Sequence, residues 1–374
     1  MPEYELFTLF THAVGSAPWA MEMPPEINPH QFGPGESSED QGRLRHALRE
    51  WRKAGRIMRW LQGRDVAAVL LVGYNDAGRL RLVRWLHGCR IPVLLFGDSN
   101  IRGDFAKGLH LVVKRLWLGY FMRRCAAVLP CGRLGRDYFL KYGAKPDRTF
   151  FFPYEPDYAL IKAVDEADVA AIRQEYHLDP ARRRLVFSGR LVSEKRVDLL
   201  IEAFARIATE RPEWDVVIAG DGPLRADLEG RVPPLLRQRV RFIGFVGDQA
   251  KLSAVYKACH ALVLPSDYEP WALVVNEAAA AGLAVVASDV VGAAHELVDY
   301  ETAPLFPPGD LDALTAAVSA ATAPPAAWTT HAGEVQTCLT RWRATADPVV
   351  GLAAALAAVG AHDRGRHVRP PGAG

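Results

Sequence analysis

The chain has 374 residues, 49% of them apolar, enough for two domains of ordinary size with separate buried cores, which excludes a single small binding module. No apolar run reaches the roughly eighteen residues of a membrane span, and Met1–Phe10 lacks the basic flank and cleavage site of a secretory leader, so a cytosolic protein is expected. The net charge of +2 hides an asymmetry: residues 1–150 carry 23 Lys/Arg against 14 Asp/Glu, which leaves the remainder near −7.

Residues 4–10 (YELFTLF) read as a strand, and Pro18–Gly42, rich in Pro, Gly and acidic residues, as a long loop. A helix is predicted over about Arg43–Leu61. Leu44, Leu48, Trp51, Met58 and Leu61 fall near helical spacing and are expected to face the core. The strand AAVLLVG (67–73), a helix through Leu80–Leu86 and the strand IPVLLFG (91–97) follow. A long helix over Lys107–Arg124, the strand AAVLPCG (126–132), a helix to Tyr142 and the strand RTFFFPY (148–154) end the first half. Near-continuous apolar strands of this kind are buried on both faces of a parallel sheet. Much of the basic excess lies in Arg43–Arg64 and Lys114–Arg124. A solvated helix face is the ordinary reading, and docking on an anionic membrane or a phosphate-bearing acceptor is the sharper one.

Residues 154–183 interrupt the alternation and are expected to hold the hinge. A second series then runs RRLVFSG, helix Val197–Ala208, WDVVIAG, helix Pro223–Gly230, VRFIGFV, helix Gln249–Cys259, ALVLP, helix Leu273–Ala281 and LAVVAS. These βα steps predict a doubly wound parallel sheet whose ligand residues come from the loops after the strands. The expected division is residues 1–155, an acceptor-side Rossmann-like domain; 156–345, a donor-binding one; and 346–374, a helix with a frayed tail.

Two loops carry chemistry. After LVFSG come Arg190, Glu194, Lys195 and Arg196, ahead of a helix with Val197, Leu200, Ile201 and Phe204 on one face. A helix amino end is already partially positive, so cations crowded there call for an anion such as a diphosphate, or else for Glu194 as a local partner. The second loop is Pro265–Ala278, in which Glu269 is expected to project from the loop and Glu277, eight positions on, to lie on the helix below it. Carboxylates accept hydrogen bonds from sugar hydroxyls, and the helix amino end between them offers N–H groups to a phosphate.

From about Arg184 to Asp310 the sequence resembles glycosyltransferase family 4 of the GT-B fold. The resemblance is carried by the Glu-x7-Glu motif at Glu269 and Glu277, Gly189-Arg190 with Glu194-Lys195, the turn Gly220-Asp221-Gly222-Pro223, the VRFIGFV strand and LFPPGD at Leu305–Asp310. It implies two Rossmann-like doubly wound domains facing a cleft, and transfer of a hexose from a UDP- or GDP-sugar to a glycan or lipid-linked acceptor with retention of configuration, as in polysaccharide or cell-envelope assembly. It also implies Arg190 and Lys195 on the donor diphosphate, Glu269 on the sugar and Glu277 on the ribose. Gly189, Gly220, Asp221, Gly222, Trp271, Ala272 and Leu273 complete the donor set, and base contacts are expected near Phe242–Val246.

The chain departs from the family pattern at three places. Pro270-Trp271-Ala272 stands where Gly-aromatic-Gly is usual. The chain begins with what resembles the second strand of the first domain, so its start reads as truncated. Gly97-Asp98-Ser99-Asn100 replaces a loop that often carries histidine, which makes Asp98 the candidate acceptor-side catalytic residue with Asn75 beside it; a turn aspartate is the plain alternative for Asp98.

No metal is expected. The eleven histidines show no ligand spacing, and Asp310-Leu311-Asp312 reads as a helix cap. Five cysteines (Cys89, Cys125, Cys131, Cys259, Cys338) lack any Cys-x-x-Cys spacing and read as core thiols. A full Gly-x-Gly-x-x-Gly is missing, which argues against a nicotinamide enzyme. The competing readings are a non-catalytic donor-binding partner subunit and a sugar-nucleotide epimerase of the same fold; no nucleic-acid partner is expected.

Overall fold

The computed structural model describes residues 4–12, 25–33, 44–298, 305–323 and 325–361. Its strands, in chain order, are β1 Thr8–Phe10, β2 Pro29–Gln31, β3 Val69–Val72, β4 Val93–Gly97, β5 Ala127–Pro130, β6 Arg183–Ser188, β7 Trp214–Ala219, β8 Val240–Gly244, β9 Ala261–Leu264 and β10 Ala284–Ala287.

The second half is a five-stranded parallel sheet of order β10-β9-β6-β7-β8. The chain leaves β6 in one direction for β7 and β8 and in the other for β9 and β10, so the sheet is doubly wound with its switch point between β6 and β9. Strands β6, β7, β9 and β10 are buried almost throughout, as continuous apolar runs require, while β8 at the edge is only half-buried. The helix Val197–Ile207 buries the predicted Val197, Leu200, Ile201 and Phe204.

The first half holds a three-stranded parallel sheet, β3-β4-β5, and a separate parallel pair, β1-β2. Three expectations are corrected here. Only Thr8–Phe10 of the predicted YELFTLF strand is a strand, and it pairs with β2, inside the predicted loop, rather than with the main sheet. RTFFFPY is not a strand: it runs along β5 through a Val128–Thr149 bridge and the bonds Phe150 N–H to Val128 O (3.0 Å) and Phe152 N–H to Pro130 O (2.9 Å). The helix Leu44–Leu61 keeps only part of the predicted face: Leu61 is buried and Met58 packs on the core as expected, but Leu48 and Trp51 are exposed, and His46, Glu50, Lys53, Ala54 and Ile57 are buried instead. Glu50 Oε1 accepts from Lys53 Nζ at 2.8 Å, and Lys53 also donates to Thr11 O at 2.6 Å. Burial of charge is tolerated there because the charges are paired.

Strand β4 joins the two halves. Leu94 and Phe96 on one face enter the large core of the second half, while Val93 and Leu95 on the other face the first half's own helices. The helix Pro325–Thr345 packs on β10, and Pro348–Ala358 returns to the first half, where a Cβ on Gly351 would lie 1.9 Å from Phe151 O. Residues 362–374, the predicted tail, lie outside the described residues. None of the five cysteines forms a disulfide; Cys131 and Cys259 are buried and the others half-buried.

Candidate active site at the switch point

The loops following β6 and β9 meet at the switch point. Asp267 N–H donates to Glu194 O at 2.8 Å, which ties the loop Gly189–Arg196 to the loop Pro265–Ala272. The loop after β7 presses on the first: a Cβ on Gly220 would sit 1.9 Å from Gly189 O, and one on Gly222 2.5 Å from Leu191 O, so only glycine permits this approach. Leu191 N–H closes it on Asp221 O at 2.9 Å, and Gly220 N–H donates to Gly244 O at 2.8 Å, which places the end of β8 alongside. Gly189, Arg190, Lys195, Gly220, Asp221, Gly222, Glu269 and Ala272 therefore belong to one cluster of loops at the carboxyl ends of the strands.

The cations of the first loop are not left unpaired. Lys195 Nζ is ion-paired with Glu269 Oε2, both side chains largely shielded; Arg196 holds Asp267 (3.0 Å) and Asp198 (3.2 Å); Arg190, half-exposed, reaches Glu194 only at 3.7 Å. In this structure the protein's own carboxylates meet these charges, Glu194 among them as the local partner the sequence offered. Arg190 has the loosest partner and is the cation most available to a ligand. Lys195 and Glu269, 74 positions apart, hold each other in place.

Glu277 lies on the helix Leu273–Ala280, 5% exposed. Oε1 accepts from Gln249 Nε2 (3.1 Å) and Oε2 from Tyr256 OH (2.9 Å), which also lies 2.9 Å from Ser188 Oγ. Burial raises the Glu277 carboxyl above its ordinary range, opposed by these two donors. Tyr256, Gln249 and Ser188 are positioning residues that the sequence did not signal.

Ala272 adopts φ +73° at the start of that helix, the left-handed conformation that glycine takes easily and alanine does not. Trp271 is buried rather than facing a ligand. Its ring lies 2.7 Å from the position a Cβ would take on Gly132, its centroid is 6.1 Å from that of Trp342, and its Nε1 donates to Tyr154 O at 3.3 Å. Leu273 is half-buried.

The first half reaches this cluster through the loop after β4. Asn100, 5% exposed, directs Nδ2 at three carbonyls of the other half, Glu269 O (3.1 Å), Pro270 O (3.1 Å) and Val290 O (3.0 Å), while its Oδ1 accepts from Gly103 N–H (2.8 Å). Tyr268 packs on Gly103. Arg133 N–H and Nε donate to Glu296 at 2.6 and 2.7 Å. Asn100, two positions after the candidate Asp98, and the pair Arg133 and Glu296 carry no local signal in the sequence for these contacts.

Asp98 remains open to solvent, yet desolvation by the surrounding protein raises its carboxyl pKa. Burial pushes up the Tyr154 and Tyr268 hydroxyls, and the Asp98 charge adds to it. Asn75 is exposed at the end of β3, and that loop is joined to the Asp98 loop through Tyr74 OH and Ser99 Oγ (2.6 Å). Asp310 caps its helix, accepting from Ala313 N–H at 2.9 Å, and Asp312 accepts from Arg206 at 2.6 Å. A recess lined by His177, Arg182, Asp215 and Arg239 lies at the opposite, amino ends of the strands, away from the switch point.

Residues 146–325 match the family model of glycosyl transferases group 1. The alpha-D-kanosaminyltransferase of Streptomyces kanamyceticus is 33% identical over 189 residues, 50% of this chain and 48% of that protein. That matched segment resembles the GT-B glycosyltransferases of the family 4 kind. The chain spans about half or less of the length of the curated relatives it matches first. Its fold is also that of the sucrose-phosphate synthase of Thermosynechococcus elongatus (TM-score 0.72, 21% identity, 95% of this chain and 89% of that one). HepE of Anabaena, solved in complex with UDP, has the same fold (TM-score 0.67, 20% identity, 87% and 84%). No helix among the described residues is long and apolar enough to cross a membrane.

Proposed function

We propose that the chain is a retaining glycosyltransferase that moves a hexose from a UDP- or GDP-sugar to a glycan or lipid-linked acceptor in polysaccharide or cell-envelope assembly. The Lys195–Glu269 pair at the switch point, with Arg190 beside it, carries the reading. A diphosphate entering this crevice meets Arg190 and competes with Glu269 for Lys195. Glu269, so released, accepts hydrogen bonds from the sugar hydroxyls. Glu277, with two acceptor positions already filled, offers the remainder to the ribose. In the transfer the bond between the anomeric carbon and the diphosphate oxygen breaks, the acceptor oxygen bonds to that carbon on the same face, and its proton passes to the departing phosphate. Asp98 across the crevice orients the acceptor hydroxyl. The cations supply the charge that the leaving diphosphate needs, so we expect no metal requirement.

The test is binding and hydrolysis across a panel of nucleotide sugars with the parent, Glu269→Ala and Arg190→Ala, each with and without EDTA. One donor should bind, both variants should lose it and EDTA should change nothing. If a folded parent binds no donor, the catalytic reading fails. If it binds a donor but neither hydrolyses nor transfers it with any acceptor, the protein is a donor-binding partner subunit.

A further inference from the structure

The helix Gly108–Met122 is held firmly on one side and bare on the other. Leu118, Phe121 and Met122 are buried in the first half's core; Trp117 Nε1 donates to Tyr74 O at 2.8 Å; Lys114 Nζ donates at 2.7 Å to Asp104, whose side chain is fully enclosed. The opposite side is apolar and open to solvent. Leu109 is 79% exposed, Leu116 68%, Val113 55% and Val112 52%, and Phe105, just before the helix, 68%. These positions recur at intervals of three and four, so they form one continuous stripe rather than scattered surface residues. Lys107, His110, Arg115 and Arg123 are exposed along the same segment, and Phe105–Arg124 contains no Asp or Glu.

We infer that this face docks on an anionic lipid surface, with the stripe entering the headgroup boundary and the exposed cations meeting lipid phosphates. Contiguous apolar side chains among cations without a carboxylate suit a medium that is hydrocarbon on one side and negative at its boundary. A second copy of the chain would instead bring like charges together. The helix Leu44–Leu61, also basic, has two of its five arginines engaged with the protein itself and a less apolar outer face: Arg56 donates to Phe32 O and Arg49 contacts His46. The inference narrows the basic first half to one surface and does not depend on the donor reading.

The test uses the full chain with vesicles of phosphatidylcholine alone and with roughly a third phosphatidylglycerol. The parent should co-sediment with the anionic vesicles only, and less so as salt rises. A Leu109→Glu/Leu116→Glu double variant, its melting temperature and circular dichroism checked against the parent, should lose at least about tenfold in vesicle binding. Leu235→Glu, on a residue 93% exposed elsewhere, should bind as the parent does. The proposal is overturned if the parent stays in the supernatant with both vesicle types, or if the double variant binds undiminished. It is also overturned if sedimentation velocity shows a dimer that the double variant dissolves while vesicle binding persists. Donor binding, measured separately without vesicles, reports on the proposed activity alone.

Discussion

The two halves solve the same problem, an α/β layer with loops at the strand ends, in different ways. In the second half, three loops lock together through backbone bonds and glycine contacts at Gly189, Gly220 and Gly222, above a sheet whose central strands are fully enclosed. In the first half, β3 is an edge strand with Leu70 and Val72 exposed, and the polar groups of the helix Leu44–Leu61 turn inward onto a buried Lys53–Glu50 pair. The five-stranded half ties the loops of its site to one another through backbone bonds. The other half contributes fewer groups and places them by reaching across, as Asn100 does. Catalytic constellations need the first arrangement for the charged groups and can use the second for the partner that must approach and leave.

The largest expected effect tests the five-stranded half. Glu269→Ala removes both the sugar acceptor and the partner of Lys195, and should lower turnover by roughly 10²–10³-fold with a smaller change in thermal stability. A loss of stability with activity per folded molecule intact would mean that the pair is structural only. Next comes the reach between halves. Asn100→Ala leaves the carbonyls of Glu269, Pro270 and Val290 without their shared donor, which costs about 1–3 kcal/mol in the contact between the halves. Turnover should fall about tenfold, with radius of gyration by small-angle scattering rising. Unchanged scattering together with unchanged rate would show that the halves meet without Asn100.

Asp98 gives a smaller and more specific signal. Its folded pKa is raised, so the folded chain holds that proton more tightly than the unfolded one does, and ionisation of Asp98 opposes folding above the ordinary Asp range. If ionised Asp98 orients the acceptor, turnover should decline as pH falls through this raised value, an acid limb above the usual carboxylate range. Asp98→Asn should abolish the limb and lower the rate without destabilising the fold. A limb that persists in the variant would falsify the assignment. The smallest effect concerns Ala272. Glycine relieves the left-handed backbone, so Ala272→Gly should stabilise the chain by about 1 kcal/mol in urea titration, partly offset by a more flexible unfolded state. A lower midpoint would show that the methyl group packs usefully where it is.

Local signals in the sequence reached far in the second half. Its strands are apolar runs bounded by glycine, its helices carry apolar residues at helical spacing, and each step read this way became an element within a few residues of its predicted bounds. Glu269 in a loop and Glu277 on the following helix were legible for the same reason, as was the cap at Asp310. The first half misled at extended apolar segments: RTFFFPY is as apolar as a strand, but its bridge and two hydrogen bonds to β5 do not extend into a ladder. In the amphipathic helix Leu44–Leu61 the inward face carries Ala54, Ile57 and Leu61 together with Glu50 and Lys53, whose pairing makes their burial tolerable, and helical periodicity does not foretell such a pair.

What the sequence by itself determined is therefore what short-range physics controls: the alternation of strands and helices, the doubly wound order of the second sheet, and the loops that hold the charged residues. The tertiary structure decided the partners. Lys195 meets Glu269 across 74 positions, Glu277 is covered by Tyr256, Trp271 turns inward against Trp342, and Asn100 finds three carbonyls 169 to 190 positions away. Side-chain pairing depends on which loops the crossovers bring side by side, and periodicity along the chain carries no record of that.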